Sequence, residues 1–469
     1  MQDVLVELHR IVGDVGFVTD PDQARPMLVD ERGLYEGRAA AIVMPQTTME
    51  LAHAVRVCSD ANIAMVPQGG NTGYCGGATP DESGKQVLFK LSRMNRIRQI
   101  DPRGFTMVAD AGVVLAAAQC AAAEQNMLLP LSMGSEGTCQ LGGTVSTNAG
   151  GVAVLRYGTA REMVAGLEVV LPDGRIWSGL KGLRKDNTGY DLKQLFMGAE
   201  GTLGIITAVV LRLQPRPKRR LTAWLAIRHI ADAVTTLGTL RNRLGDCITS
   251  FEYISREALG LVLDMLADAR NPLASVDSHY ALIELTDFGD GIVLAREFEK
   301  VLADIIAAGH IIDAVIAQSV GQCHEFWRLR ESIPAAEKCA GGSIKHDISV
   351  TIGALDDFIN DAIATICANI PDVRLSIYGH VGDGNIHFNV LASELRMAKD
   401  FKQANATVVS DLIHTLAVER GGSISAEHGI GKFKRDLLAV TADPVALDLM
   451  RQLKATLDPK GLMNPGKVL

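Results

Sequence analysis

The sequence predicts an α+β protein in three parts. A two-lobed domain holds one extended cofactor, a second domain has an antiparallel sheet covered by helices, and a small helical segment closes the chain. Three observations carry this prediction. Two glycine-rich stretches, Val66 to Pro80 (VPQGGNTGYCGGATP) and Leu131 to Gly151 (LSMGSEGTCQLGGTVSTNAGG), are followed by a GxxG element in Phe196 to Ile206 (FMGAEGTLGII). Strand-like and helix-like runs alternate from Ala41 to about residue 214. From Leu221 to about Leu416 a strand-helix order with hairpin signals repeats, the pattern of a sheet with helices packed on one face.

Residues 1–38 read as an amphipathic helix (Val4, Leu5, Leu8, Ile11, Val12) and a polar connector, and Ala41 to Pro45 as a short apolar strand. Ala52 to Met65 has the apolar spacing of a helix running into a strand, so the first glycine stretch leaves a strand end. Backbone N–H groups unobstructed by side chains form a concave array suited to the oxygens of a diphosphate, although such a loop by itself reads equally as a turn. A second and a third glycine element turn the reading toward one cofactor lying across several backbone segments. Neither the GxGxxG spacing nor GxxxxGK[ST] occurs in these loops, so the nucleotide fold is a different one. The strand Ile205 to Leu213 closes this part, and QPRPKRR marks the boundary. The domains are therefore expected at 1–215, 216–415 and 416–469. In the second, LTAWLAI, YALIEL, IIDAVIA, IKHDISVTI, VRLSIYGHV and IHFNVLA read as strands.

The 469 residues exceed one ordinary core, and 47% hydrophobic with 21% charged residues is a globular composition. A net charge of −8 argues against a nucleic-acid or anionic-membrane surface. The one basic cluster, Arg212 to Arg220, contains two prolines and reads as a solvated linker. Eight scattered cysteines without a CxxC pair, and no basic and apolar leader at the N-terminus, predict a cytoplasmic protein. No run approaches the roughly eighteen apolar residues of a membrane span.

Outside the glycine loops the sharpest signal is Tyr378 to Asn389, YGHVGDGNIHFN. Asp383-Gly384 is a dipeptide favoured in a two-residue type I′ hairpin. Folding there sets His380 opposite His387, with Cβ atoms about 4.5–5.5 Å apart. The pair then either shares a metal ion or is a polar cross-strand pair at a sheet edge. A carboxylate from Ser425 to Gly431, SAEHGIG, would complete a three-ligand site with open positions, compatible with Zn, Mn or Co. Nothing resembles the HExxH of a zinc peptidase.

PQGGNTG, STNAGG, YGTAREMVAGLEVVLPDGRI and GAEGTLGIIT together resemble the FAD-binding family of vanillyl-alcohol oxidase, in its D-lactate and D-2-hydroxyglutarate dehydrogenase branch, over roughly residues 40 to 469. The resemblance implies FAD held by Gln68, Gly69, Gly70, Asn71, Thr72, Gly73, Gly134, Ser135, Gly142, Thr144, Ser146, Asn148, Gly150, Glu200, Gly201, Gly204, Ile206 and Asn464. It implies a divalent metal, Zn or Mn, on His380, His387 and Glu427, with His428 as the catalytic base. Arg330, Lys345 and Asn389 would meet the substrate, although Arg330 and Lys345 read without the resemblance as a surface ion pair and a strand-edge lysine. One departure stands out, Pro334 where 2-hydroxyglutarate members carry a threonine hydroxyl. Cys75 and Cys139 read as small buried thiols, and no histidine lies in either glycine loop, so the flavin is expected without a covalent bond.

The implied activity is oxidation of a D-2-hydroxy acid, D-2-hydroxyglutarate or D-malate, to the 2-oxo acid with hydride transfer to flavin N5. Oxidation of D-lactate or glycolate on the same scaffold is the alternative. A metal-dependent hydrolase and a flavin subunit that only passes electrons are rivals of other classes. Expected partners are an electron-transfer flavoprotein or a quinone as acceptor, no nucleic acid, and a second copy in a homodimer.

Overall fold

A computed structural model describes residues 1–275, 278–289 and 291–469. The chain divides into two compact units: Met1–Gly151, Gly158–Arg216 and Glu427–Leu469 form one, Val152–Tyr157 and Pro217–Ala426 the other.

In the first unit a four-stranded sheet contains β1 (Phe17–Val18), β2 (Ala41–Val43), β3 (Met65–Gln68) and β4 (Val87–Lys90), in the order β1-β2-β4-β3. β4 pairs in parallel with both β2 and β3. Such pairing needs a crossover, supplied by the helix Thr48–Asp60, which buries Leu51, Ala54, Val55 and Cys58. The Thr47 side chain caps this helix by accepting from Glu50 N at 3.1 Å. The second lobe is a five-stranded antiparallel sheet of β5 (Ile97–Asp101), β6 (Thr106–Asp110), β8 (Val164–Val170), β9 (Ile176–Gly179) and β10 (Ile205–Arg212), ordered β5-β6-β10-β8-β9. A small pair joins β7 (Met127–Leu128) to β11 (Gln214–Pro215).

The second unit is built on a seven-stranded antiparallel sheet: β12 (Arg219–Ile227), β13 (Ile248–Ile254), β14 (His279–Asp287), β15 (Asp313–Ile316), β16 (Asp347–Ser349), β17 (Val373–His380) and β18 (Asn385–Ala392), ordered β15-β12-β14-β13-β17-β18-β16. Helices cover both faces rather than one. Ile230–Leu244, Ile292–Ala307, Leu355–Asn369 and Ala398–Glu419 bury side chains with Leu225, Phe251, Ile283 and Phe388. Arg256–Met265, Val320–Glu331 and Ile333–Cys339 pack on the other face against Trp224, Ile254, Tyr280 and Leu282. Two-sided burial explains why the central β13, ITSFEYI, escapes the sequence reading: all seven residues are buried, so its apolar pattern does not alternate.

The β17–β18 hairpin also differs from its expectation. His380 pairs with Asn385 and Tyr378 with His387, a register shifted by two residues. The connection is four residues long, Val381 to Gly384, because only Gly384 adopts positive φ (81°) whereas a type I′ turn needs it at Asp383 as well. Asp383 Oδ1 instead accepts from Asn385 N at 3.0 Å. A two-residue shift preserves side-chain parity, so His380 and His387 still point to the same sheet face, as diagonal neighbours.

Candidate active site

In the first unit the two glycine loops meet. A Cβ on Gly70 would stand 2.4 Å from the Thr138 carbonyl oxygen and 2.9 Å from Cys139 Cα, so only glycine lets the loops approach this closely. Around that contact the backbone is open: among the described residues, a Cβ on Gly73, Gly134, Gly137 or Gly143 would meet no atom within 4 Å beyond its own local chain. Lys90 Nζ donates to Gly69 O at 2.7 Å, and burial lowers its pKa to about 8. Gln68 is buried at the end of β3, its Nε2 donating to Met27 O and Ala78 O. Asn71, at φ 61°, donates to Val29 O at 2.8 Å. Among the described residues, the buried amide oxygens of Gln68, Gln140 and Asn464 meet no hydrogen-bond partner, which suits a ligand bearing N–H and O–H donors. Two converging glycine loops and these acceptors fit FAD.

The remaining expected cofactor residues spread over the same unit. Ser135 O accepts from Cys139 N, and Gly142 N donates to Ala111 O. Thr144 and Ser146 lie in the helix Leu141–Ser146, and Asn148 and Gly150 follow it. Asn148 Oδ1 accepts from Thr159 Oγ1 and Arg161 N. Gly201, at φ 72°, packs on Pro67, Gly204 precedes β10, and Ile206 is buried within it. Asn464 Nδ2 donates to Gly77 O at 3.0 Å and to Glu200 O at 2.8 Å.

Glu200 uses its side chain to shape the SAEHGIG turn. Its two carboxylate oxygens accept from Ile430 N at 2.7 Å and Gly431 N at 2.8 Å, while burial pushes the carboxyl up against the opposing pull of those bonds. Ahead of that turn, Glu427 Oε1 accepts from Gly151 N at 2.9 Å, and the His428 ring meets Tyr74 edge-on with centroids 4.8 Å apart. Burial raises the Tyr74 phenol, helped by Glu31 and Glu427.

In the second unit strand alternation gathers polar groups on one sheet face. Tyr378, His380, Asn385, His387 and Asn389 share it with Glu252, which pairs with His380, and Asp347, which pairs with His387. The His380 and His387 ring centroids are 5.7 Å apart with planes at 80°. His380 Nδ1 lies 2.7 Å from Glu252 Oε1, and Arg330 places Nε and Nη2 each 2.9 Å from Glu252 Oε2. Burial pushes the Glu252 carboxyl up, but His380 and Arg330 outweigh it and hold the group below the ordinary carboxylate range. The Arg330 guanidinium also stacks over Tyr378 at 4.7 Å.

Lys345 and Asn389 converge on a residue that the sequence reading passes over. Glu337 is wholly buried and accepts from Lys345 Nζ at 2.5 Å, Ser343 Oγ at 3.0 Å and Asn389 Nδ2 at 2.8 Å. Its signal was a carboxylate at i+4 from Ile333 on the buried side of the helix Ile333–Cys339. Pro334 stands in the first turn of that helix. Glu252, also unforeseen, sits on the unforeseen strand β13.

Comparison with known proteins identifies the class. Residues 39–179 match the FAD binding domain family and residues 216–468 the FAD linked oxidases, C-terminal domain family. The chain is 38% identical over 474 aligned residues to the mitochondrial D-2-hydroxyglutarate dehydrogenase of Bos taurus, covering 100% of this chain and 84% of the relative. It is 35% identical to the enzyme of that name from Arabidopsis thaliana, covering 98% and 80%. Its fold matches that of p-cresol methylhydroxylase with a TM-score of 0.76 at 17% identity, covering 100% of this chain and 96% of that one.

The protein thus belongs to the FAD-linked oxidase family. Within it, the chain falls in the D-2-hydroxyglutarate and D-lactate dehydrogenase branch, and it is an FAD-dependent dehydrogenase. The expectation of a cytoplasmic protein is corrected by these relatives, which are mitochondrial enzymes. Scattered free thiols bear on redox state and do not identify the compartment. No helix among the described residues is long and apolar enough to cross a membrane.

The two loops make separable demands on glycine. Gly70→Ala should cost the flavin-free protein about 1–3 kcal/mol, the usual penalty of overpacking. Gly73→Ala should leave that stability within about 0.5 kcal/mol, as an uncrowded substitution does, yet weaken FAD binding. Thermal unfolding of stripped protein and FAD titration by flavin fluorescence check both. Unchanged FAD affinity in Gly73→Ala would remove this loop from the cofactor site.

Proposed function

We propose that this enzyme oxidises D-2-hydroxyglutarate, with D-malate as a shorter alternative, to the 2-oxo acid, using noncovalent FAD and a divalent metal on His380, His387 and Glu427. The observation that carries the reading is the single sheet face bearing two imidazoles 5.7 Å apart beside Asn389 and Lys345, both held by Glu337. Relatives that bear the substrate's name, matched over 84% and 80% of their own length, support it. Zn or Mn suits two imidazoles and a carboxylate.

Arg330 donates Nε–H to Glu252 with Nη2 in ion-pair range of the same oxygen, and Lys345 spends one of its three donors on Glu337, so each cation has donors left for a substrate carboxylate. Glu337 fixes where Lys345 and Asn389 point, and a pre-positioned group binds its ligand with less loss of entropy. The Gly151 N–H holds one oxygen of Glu427, which orients the carboxylate. His428 removes the hydroxyl proton. FAD, when bound, supplies the hydride acceptor at N5, and the metal, when bound, lowers the pKa of the hydroxyl. Electrons then pass to an electron-transfer flavoprotein or a quinone, and the enzyme works as a homodimer.

A panel of D- and L-2-hydroxy acids with dye reduction tests the reading, which expects D-2-hydroxyglutarate to lead. Better turnover of D-lactate or glycolate would overturn the substrate assignment. Lys345→Ala should raise KM for D-2-hydroxyglutarate more than for D-lactate, because a second cation is useful only to a second carboxylate. Equal rises would assign Lys345 to the carboxylate that both substrates share.

A further inference from the structure

We infer that Glu252 is a positioning residue that fixes the tautomer of His380, keeping the proton on Nδ1 and turning Nε2 toward the metal. The inference rests on the metal reading above and adds a residue to it. His380 Nδ1 lies 2.7 Å from Glu252 Oε1, and both side chains are buried, at 8% and 1% relative exposure. An ionised carboxylate only accepts hydrogen bonds, so at this distance Nδ1 carries the proton. A neutral imidazole then coordinates through Nε2, the arrangement in which a carboxylate partner orients a metal-bound histidine and raises its basicity.

Arg330 makes this arrangement directional. Its Nε donates to Glu252 Oε2 and its Nη2 lies 2.9 Å from the same oxygen, so the carboxylate faces a donor on each oxygen and cannot rotate without losing one. Strand β13 sets the geometry, since Glu252 and His380 are directly paired across the ladder with β17. Arg330 accordingly has a second task beside substrate binding, that of holding Glu252 in place.

The test exploits the asymmetry of an amide. In Glu252→Gln the side chain keeps its size but has one oxygen for two donors. With that oxygen facing the charged Arg330, its NH2 faces His380 Nδ1, which must then accept, and the proton moves to Nε2 where the metal binds. Zn2+ affinity, read by competition with a chelating dye, should fall about 10–100-fold, the usual cost of losing such a partner, with FAD content unchanged.

Glu252→Gln/Arg330→Met removes the competing donor, so the amide oxygen can turn to Nδ1 and Zn2+ affinity should recover to within about tenfold of wild type. A merely structural glutamate predicts no recovery, because the double variant disturbs the core more than the single one. Affinity in Glu252→Gln within about threefold of wild type, or a double variant binding no tighter than the single, overturns the inference. If Glu252→Gln does not fold, the double variant carries the test, and a loss beyond about 100-fold overturns it. Wild-type protein that oxidises D-2-hydroxyglutarate without binding Zn2+ or Mn2+ would instead overturn the metal reading itself, and the inference with it.

Discussion

Replacing His428 with alanine is expected to lower kcat roughly 10²–10⁴-fold, the usual contribution of a positioned base, while FAD and metal stay bound. The division of labour is the one proposed above, with Glu427 given to the metal and His428 to the substrate hydroxyl. Residues 426–428 form a bend rather than extended backbone. Glu427 is oriented by Gly151 N, Glu200 fixes the two N–H groups beyond Gly429, and the His428 ring rests on Tyr74. Truncating the half-buried imidazole should therefore leave the Glu200 and Gly151 contacts of this turn in place. Glu427→Ala, by contrast, should arrive depleted in metal. Dye-coupled turnover, flavin absorbance and elemental analysis of both variants check the pair. A metal-free His428→Ala, or one that turns over at the wild-type rate, would show that the roles are misassigned.

Stripping the metal with a chelator should reduce turnover by roughly 10²-fold or more, since a Lewis acid supplies several kcal/mol at the reacting oxygen. FAD should remain, because its glycine loops lie in the first unit and His380 and His387 in the second. Returning Zn2+ or Mn2+ should restore the rate. Full activity in protein that elemental analysis finds metal-free would end the proposal of a metal-assisted reaction.

Legibility differed by element for physical reasons. Glycines that let Gly70 reach the Thr138 carbonyl, or turn the backbone at Gly201, leave a local mark that sequence reading can use. Amphipathic helices such as Ile230–Leu244 announce their buried stripe by period. Hairpin register does not announce itself, because it depends on whether Asp383 accepts positive φ, and the structure puts only Gly384 there. The histidines were still assigned to one face because a shift of two preserves parity. Strand β13 was illegible because burial on both faces erased its alternation, and Glu252 was lost with it. Glu337 was hidden for another reason: a buried carboxylate draws its meaning from partners 6, 8 and 52 residues away.

The return of the chain to its first unit has a consequence for synthesis. Met463 bridges Met65 of β3, Met65 N donates to Leu462 O, and Lys467 Nζ reaches Thr79 O beside the first glycine loop. A ribosome emits residues 217–426, and with them the rest of the second unit, before any of these partners exists. The flavin unit is therefore begun before the bulk of the second unit and completed after it. A chain that stalls or is clipped ahead of Glu427 has a complete second unit but leaves Gly77 O, Thr79 O and the backbone of Met65 without their partners from the tail. Purified protein truncated at residue 426 should therefore carry less flavin per molecule than protein that includes the tail, whereas an antibody against the second unit would count both alike.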